Sequence, residues 1–213
     1  MPKTTTGSLP RLLSYIVGIC GALMLILGIS IFALASSELS NQRITVAALD
    51  TNSDGVASGS NAGKPLKGPF TAVSQIKAIT HHLQEASRTA TGGTRDAATG
   101  AVTGGNPNIT YGTAPSITLD AQGNCVNAVA TWTNPAGMGT VQCEKGGQLQ
   151  LTGSIAPSIA SLRSTLTTGS FLISSLFVSV LAFGVATLIA GLGVLFMLVA
   201  AITLHLTRRH QNN

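Results

Sequence analysis

Residues 164–207 read STLTTGSFLISSLFVSVLAFGVATLIAGLGVLFMLVAAITLHLT, and none of them is Asp, Glu, Lys or Arg. An α-helix rises 1.5 Å per residue, so about 20 apolar residues cross a hydrocarbon core of roughly 30 Å. As a helix this run reaches about 60 Å, twice that thickness. A second charge-free run, Leu12 to Ser37, lies near the other end of the chain. Together the two runs explain why only 9% of the 213 residues are charged, against about 25% in an average soluble chain. Ionised side chains are kept out of such segments because hydrocarbon cannot solvate them.

These runs predict an α+β membrane protein, with two transmembrane helices flanking a small extracytoplasmic domain at 38–163. The first transmembrane helix is expected at 12–37. Its Ala33-Leu34-Ala35 resembles a signal-cleavage site, but a signal core is typically about 7–15 residues and this one is far longer, so an uncleaved anchor is expected. For the second run, Ile155, Ile159, Leu162, Leu166, Ile173, Leu176 and Val180 form a stripe at spacings of three, four and seven. The simplest reading is one long helix over 155–206. Its first half packs outside the membrane and its second half, about 180–206, crosses it. Pro157 suits a first helical turn, and Gly169 is a possible interruption.

Charge sets the orientation. Lys3 and Arg11 precede the first run and Arg208 and Arg209 follow the second, while all seven acidic residues and eight basic ones lie between. Short positive flanks stay inside. The expected topology is therefore a multi-pass cell-membrane protein with residues 1–11 and 207–213 cytoplasmic. The pI of 9.5 then reflects membrane flanks. With no basic stripe interleaved with aromatics, nucleic acid is not an expected partner.

The three cysteines fit the same topology. Cys20 falls inside the first run, where it acts as a small apolar residue. Cys125 and Cys143 fall in the oxidising compartment and bracket NCVNAVATWTNPAGMGTVQCEK. There Val126, Ala128, Ala130 and Trp132 alternate with mostly polar neighbours, and Asn134-Pro135-Ala136-Gly137 offers turn chemistry. A disulfide-linked β-hairpin at about 124–151 is expected, with Cys125 opposite Cys143, QLQL (148–151) as a third strand, and a contribution of about 3 kcal/mol from the bridge. Before it, FTAVSQIKAITHHLQEASRTA (70–90) places Ala72, Ile76, Ile79, Leu83 and Ala86 at helical spacing, predicting an amphipathic helix at about 70–89. ITVAAL (44–49) reads as extended, and 91–123 as loop with a short strand.

Candidates for chemistry are few. In DTNSDGVASGSN (50–61), Asp50, Asn52 and Asp54 alternate before Gly55, as in the opening of an EF-hand loop. The twelfth position, a bidentate Glu in that motif, is Asn61, and the preceding segment reads as strand. A polar turn is the better reading, with a weak calcium site as the alternative. His81 and His82 are adjacent, so on a helix they diverge by about 100°. His81 is expected opposite the apolar face and His82 at its border, a solvated or interface-facing pair. No G-x-S-x-G elbow or phosphate-loop spacing is present, so no enzyme activity and no cofactor are expected.

The apolar runs carry more information. Ser14, Gly18, Gly21, Leu25, Gly28, Phe32 and Ala35 recur at alternating spacings of four and three. Ser175, Ser179, Ala182, Ala186, Ile189, Gly193, Phe196 and Ala200 do so in the second run. Small residues on such a seam let backbones approach, and close packing is what joins helices in lipid. Gly184, Thr187 and Gly191 form another small-residue line on roughly the opposite side. One seam is expected to join the two helices and the other to meet another protein.

AGKPLKGPFTA (62–72), ITHHLQEAS (79–87) and FLISSLFVSVLAFGVATLIAGLGVLFML (171–198) together resemble a family of small, largely uncharacterised two-span membrane proteins of Actinobacteria, some labelled ring-opening dioxygenases. The likeness covers about 80 residues and rests on no catalytic motif; region 91–153 is longer here than in the family pattern. In such bacteria small proteins of this shape can be accessory subunits of the cytochrome bcc–oxidase respiratory supercomplex, a role that the family itself does not define. The expected function is a non-catalytic accessory or assembly subunit of a larger membrane complex. Its partners would be other integral membrane proteins and the lipid bilayer. The alternative is an extracytoplasmic ligand- or calcium-binding sensor using the Asp50–Asp54 loop.

Overall fold

The computed structural model describes residues 8–47, 61–127 and 129–212. The described residues form three helices, α1 (Ser8–Asn41), α2 (Pro69–Ala90) and α3 (Ile159–Asn212). Between α2 and α3 lie five short strands, β1 (Thr94–Arg95), β2 (Val102–Thr103), β3 (Val129–Thr133), β4 (Gly139–Cys143) and β5 (Gln150–Gly153). They form two antiparallel sheets, β1-β2 and β3-β4-β5. The chain divides into two compact units: residues 8–43, 67–69 and 178–212 in one, and 44–66 and 70–177 in the other.

The first unit pairs α1 with the later part of α3. Both helices are long and apolar enough to cross a membrane, each with a mean hydropathy of 2.6 over its most apolar window. α1 extends beyond the expected 12–37 at both ends, and near its C-terminal end two serine hydroxyls find carbonyl partners. Ser37 Oγ donates to the Leu34 carbonyl at 3.0 Å, and Ser36 Oγ donates to the Lys67 carbonyl at 2.7 Å.

The second unit is built on α2. Pro69 occupies its first position, where a missing N–H costs nothing and the fixed φ suits the helix. Its end is a Schellman motif: the Gly93 N–H donates to the Arg88 carbonyl at 2.7 Å, and the Gly92 N–H donates to the Thr89 carbonyl at 3.3 Å. This geometry puts Gly92 at φ +97°, and a Cβ there would also collide with the Ser154 carbonyl. Two independent constraints thus demand glycine.

Asn134 ties this helix end to the β3–β4 turn. Its side-chain oxygen accepts from the Ala136 N–H at 3.0 Å, closing the turn, and its Nδ2 donates to the Thr91 carbonyl at 2.8 Å. Thr91 Oγ1 accepts from the Asn106 N–H at 2.7 Å. Both side chains are buried, so each bond satisfies a group that water cannot reach.

The core of this unit gathers Ile109, Ile117, Val141, Ile155, Ile159, Leu162 and Leu166 around the disulfide, with Leu83, Ala86 and Trp132 packed against it. Trp132 Nε1 donates to the Thr113 carbonyl at 2.8 Å, anchoring the loop 106–119 over the sheet. The disulfide joins Cys125 and Cys143 with Cα atoms 5.9 Å apart.

Several expected details differ. Cys143 pairs across the ladder with Val129, not with Cys125. Cys125 instead sits in a separate bridge to Leu119, and its N–H donates to the Gly147 carbonyl at 2.8 Å. The hairpin is shorter than the cysteine spacing suggested because the β3–β4 register shifts between Val129 and Trp132, the signature of a bulge. The third strand is 150–153 rather than 148–151, since Gln148, just after the Glu144–Gly147 turn, forms a separate bridge to Asn124. Within ITVAAL, the described residues show only an isolated bridge, Thr45 to Pro65. α3 begins at Ile159, after a turn at Pro157, and runs through Gly169 without a break. Gly169 is a packing position instead: a Cβ there would meet Leu83 Cδ2 at 2.5 Å. The amphipathic helix expected at 70–89 is α2. Its buried residues, Ala72, Ala78, His81, Ser87 and Ala90, are not a single stripe, because the segment 44–47 and 61–66 also packs on it through Gln75 and Ser74.

Replacing Asn134 by Ala strands the buried Thr91 carbonyl and opens the turn. Loss of about 1–3 kcal/mol is expected, read as a lower midpoint of chemical unfolding of the purified protein. An unchanged midpoint would contradict this role for Asn134.

Candidate functional site

Two groupings of side chains stand out, one in each unit. In the first unit, α1 and α3 run antiparallel with almost no side chain between them. A Cβ on Gly21 would lie 2.7 Å from the Gly193 carbonyl oxygen, and one on Gly193 would lie 2.6 Å from the Gly21 carbonyl oxygen. At Gly28 the obstacles are the Ala190 nitrogen at 2.6 Å and the Ala186 carbonyl oxygen at 2.7 Å, and at Gly18 the Ala200 Cβ at 3.4 Å. Beyond Gly28 the small-residue contact gives way to Phe32 against Phe183, with ring centroids 4.8 Å apart.

Buried positions recur every seven residues, at Ser14, Gly21 and Gly28 on α1 and at Ala186, Gly193 and Ala200 on α3. A seven-residue repeat keeps one contact line in register along two helices that wrap gently around each other. Of the residues singled out in the sequence, Gly18, Gly21, Gly28, Ala186 and Gly193 meet at this seam, and Ala182 is half-buried beside it. Phe183 and Ala190 also belong to it. They lie off the small-residue pattern because one is large and the other shares a turn with Ala186.

Gly184 and Gly191 are different. A Cβ at either would meet nothing within 4 Å. Exposed Leu181, Leu188, Leu195 and Val185 surround them.

In the second unit, α2 presents His81, His82 and Glu85 together, with one ligand atom from each lying within 4.8 Å of the others. Helical spacing explains the grouping, since Glu85 is four residues from His81 and three from His82, and so lies between their directions. Both Nδ1 atoms face the same carboxylate oxygen, Glu85 Oε2, at 3.8 Å and 3.5 Å. Arg95, on β1, brings Nη2 to 3.8 Å from that oxygen and donates through Nη1 to the Gly100 carbonyl at 2.5 Å. A groove of about 290 Å³ opens beside His82, Glu85 and Arg95, bordered on α3 and the turn before it by Ser158, Ser161 and Thr165.

This corrects the expected placement of the histidines. His81 is buried, not on a solvated face, and His82 is the exposed member. Glu85, which helical spacing sets beside His81, completes the group.

Two other acidic groups, Asp96 and Asp120, are committed to turns. Asp96 is held below the usual carboxylate range chiefly by the Thr99 N–H and then by that of Ala98, and Asp120 chiefly by the Asn124 N–H. Arg163 stacks its guanidinium 4.2 Å from the ring centre of Tyr111. The calcium candidates Asp50, Asn52 and Asp54 lie outside the described residues.

The α1–α3 seam has a direct test. In a Cys20→Ala background, cysteines at positions 18 and 200 should form a disulfide on mild oxidation of membranes, since their Cβ atoms would sit near the bonding distance. Adding Gly28→Leu should abolish the cross-link by forcing the helices apart. A cross-link that never forms, or that survives Gly28→Leu, would contradict the seam. Compared with known protein families, curated proteins and solved structures, the chain matches none.

Proposed function

We propose that this protein is a non-catalytic accessory subunit of a larger membrane complex, held in the bilayer by α1 and by the later part of α3. The observation that carries this reading is the double character of α3. One face is filled by α1 at Gly193 and Ala186, while the line through Gly184 and Gly191 stays open and ringed by exposed aliphatic side chains.

The bilayer placement is supported by the exposed surface of both helices. Leu12, Ile19, Leu23, Leu34, Val178 and Leu188 are each more than 60% exposed. A continuous apolar surface of this kind is stable against lipid or protein and not against water. Arg11, Arg208 and Arg209 at the ends of the helices favour cytoplasmic termini. The second unit, with its disulfide, then lies on the oxidising side.

In lipid, helices associate through van der Waals packing, and small residues permit the closest approach. The Gly184–Gly191 line offers a partner helix what Gly21 and Gly28 offer α3. The actinobacterial resemblance makes the cytochrome bcc–oxidase supercomplex the first partner to examine.

The test is purification of the tagged protein from its native membrane in a mild detergent, with identification of its companions. The reading predicts one membrane complex at near-equal amounts. Leucine at both 184 and 191 should remove that complex while leaving the protein folded. Recovery of the protein alone would defeat the proposal.

A further inference from the structure

The geometry points to a binding site for one zinc-class divalent transition-metal ion, held by His81 Nδ1, His82 Nδ1 and Glu85 Oε2. The spacing is the first argument. The N–O separations of 3.8 Å and 3.5 Å are too long for hydrogen bonds, which lie near 2.7–3.2 Å. They are close to what two ligands show across a tetrahedral metal. Bonds of about 2.0–2.1 Å at tetrahedral angles separate ligand atoms by about 3.3 Å. The two imidazole nitrogens are the widest pair, within 4.8 Å of each other, so the exposed His82 side chain must rotate to bring its nitrogen about 1.5 Å closer to that spacing.

Burial is the second argument. Side-chain exposure is 10% at His81 and 14% at Glu85, against 54% at His82. An imidazole and a carboxylate thus lie side by side with little exposure, where an ion held by both would be shielded from competing water. His82 then acts as the accessible arm that closes on the ion, and the adjoining groove leaves a fourth position open to water or a small anion.

The donor set selects the ion. Two imidazole nitrogens and one carboxylate suit Zn²⁺ and its neighbours in the transition series. Calcium and magnesium prefer cages made of oxygen.

Arg95 sharpens the inference. Its guanidinium approaches the same Glu85 oxygen from β1, so it balances the carboxylate when no metal is bound and opposes the ion as a like charge. Loss of Arg95 should therefore strengthen metal binding, an effect that a purely structural cluster of His, Glu and Arg would not produce.

The experiment is a calorimetric titration of Zn²⁺ into the full-length protein, purified in detergent and freed of metal with a chelator. One ion should bind per chain with a Kd in the micromolar range or tighter. His82→Ala, an exposed position that leaves the fold intact, and Glu85→Gln should each weaken binding by about tenfold or more. Arg95→Ala should tighten it severalfold. Absence of binding at 100-fold excess over a micromolar Kd would overturn the site, as would binding that survives both His82→Ala and Glu85→Gln. Weakening by Arg95→Ala would also count against it.

Discussion

The contact between the backbones of α1 and α3 at Gly21 and Gly193 constrains the first unit most tightly. Neither residue has space for a Cβ, because each would drive it into the other's carbonyl oxygen. Gly28 repeats the condition one heptad along, against Ala186 and Ala190. In a bilayer, two apolar helices would have no hydrophobic reason to associate, so contact area and closeness would have to supply the attraction. Glycine increases both by removing the side chain that would hold the helices apart. The surrounding leucines and isoleucines of both helices are left to face outward.

The second unit solves a different problem. It has few large aliphatic side chains, and small domains bury too little apolar surface to be stable on that account alone. Its core is therefore gathered around a disulfide and pinned by two polar attachments that reach across the fold, Asn134 to Thr91 and Trp132 to Thr113. The Cys125–Cys143 bridge restricts the unfolded chain, and the buried polar bonds fix one arrangement of the loops among many of similar apolar content. The His81–His82–Glu85 cluster sits on the helix that these attachments hold in place.

Legibility in the sequence tracks how local the determining physics is. Charge-free length and 3.6-residue periodicity are properties of a single segment, and they marked α1, α2 and α3 directly. The small-residue spacing likewise singled out Gly21, Gly28 and Gly193 before any contact was visible. Cys125 and Cys143 were paired correctly because compartment and turn chemistry both pointed to a bridge. The register around them was not legible: the bulge between Val129 and Trp132 arises from how three strands and a loop share the core. His81 was misplaced for a similar reason. Helical periodicity assigns one buried face, but α2 is packed by the segment around Val46 and Leu66 as well as by α3, and a second covering layer leaves no periodic trace. Gly169 shows the same limit, since a glycine that admits Leu83 looks in sequence like one that breaks a helix.

In the proposed topology α1 and the later part of α3 cross a membrane, with the disulfide-bearing unit outside. Single cysteines at positions 8, 111 and 207, each in a Cys20→Ala background, can be exposed to a membrane-impermeant thiol reagent in intact cells. Tyr111 is half exposed in the second unit, so a cysteine at 111 should be labelled at once. Those at 8 and 207 should react only after the membrane is permeabilised. Labelling of position 8 or 207 in intact cells, or protection of position 111, would contradict the account.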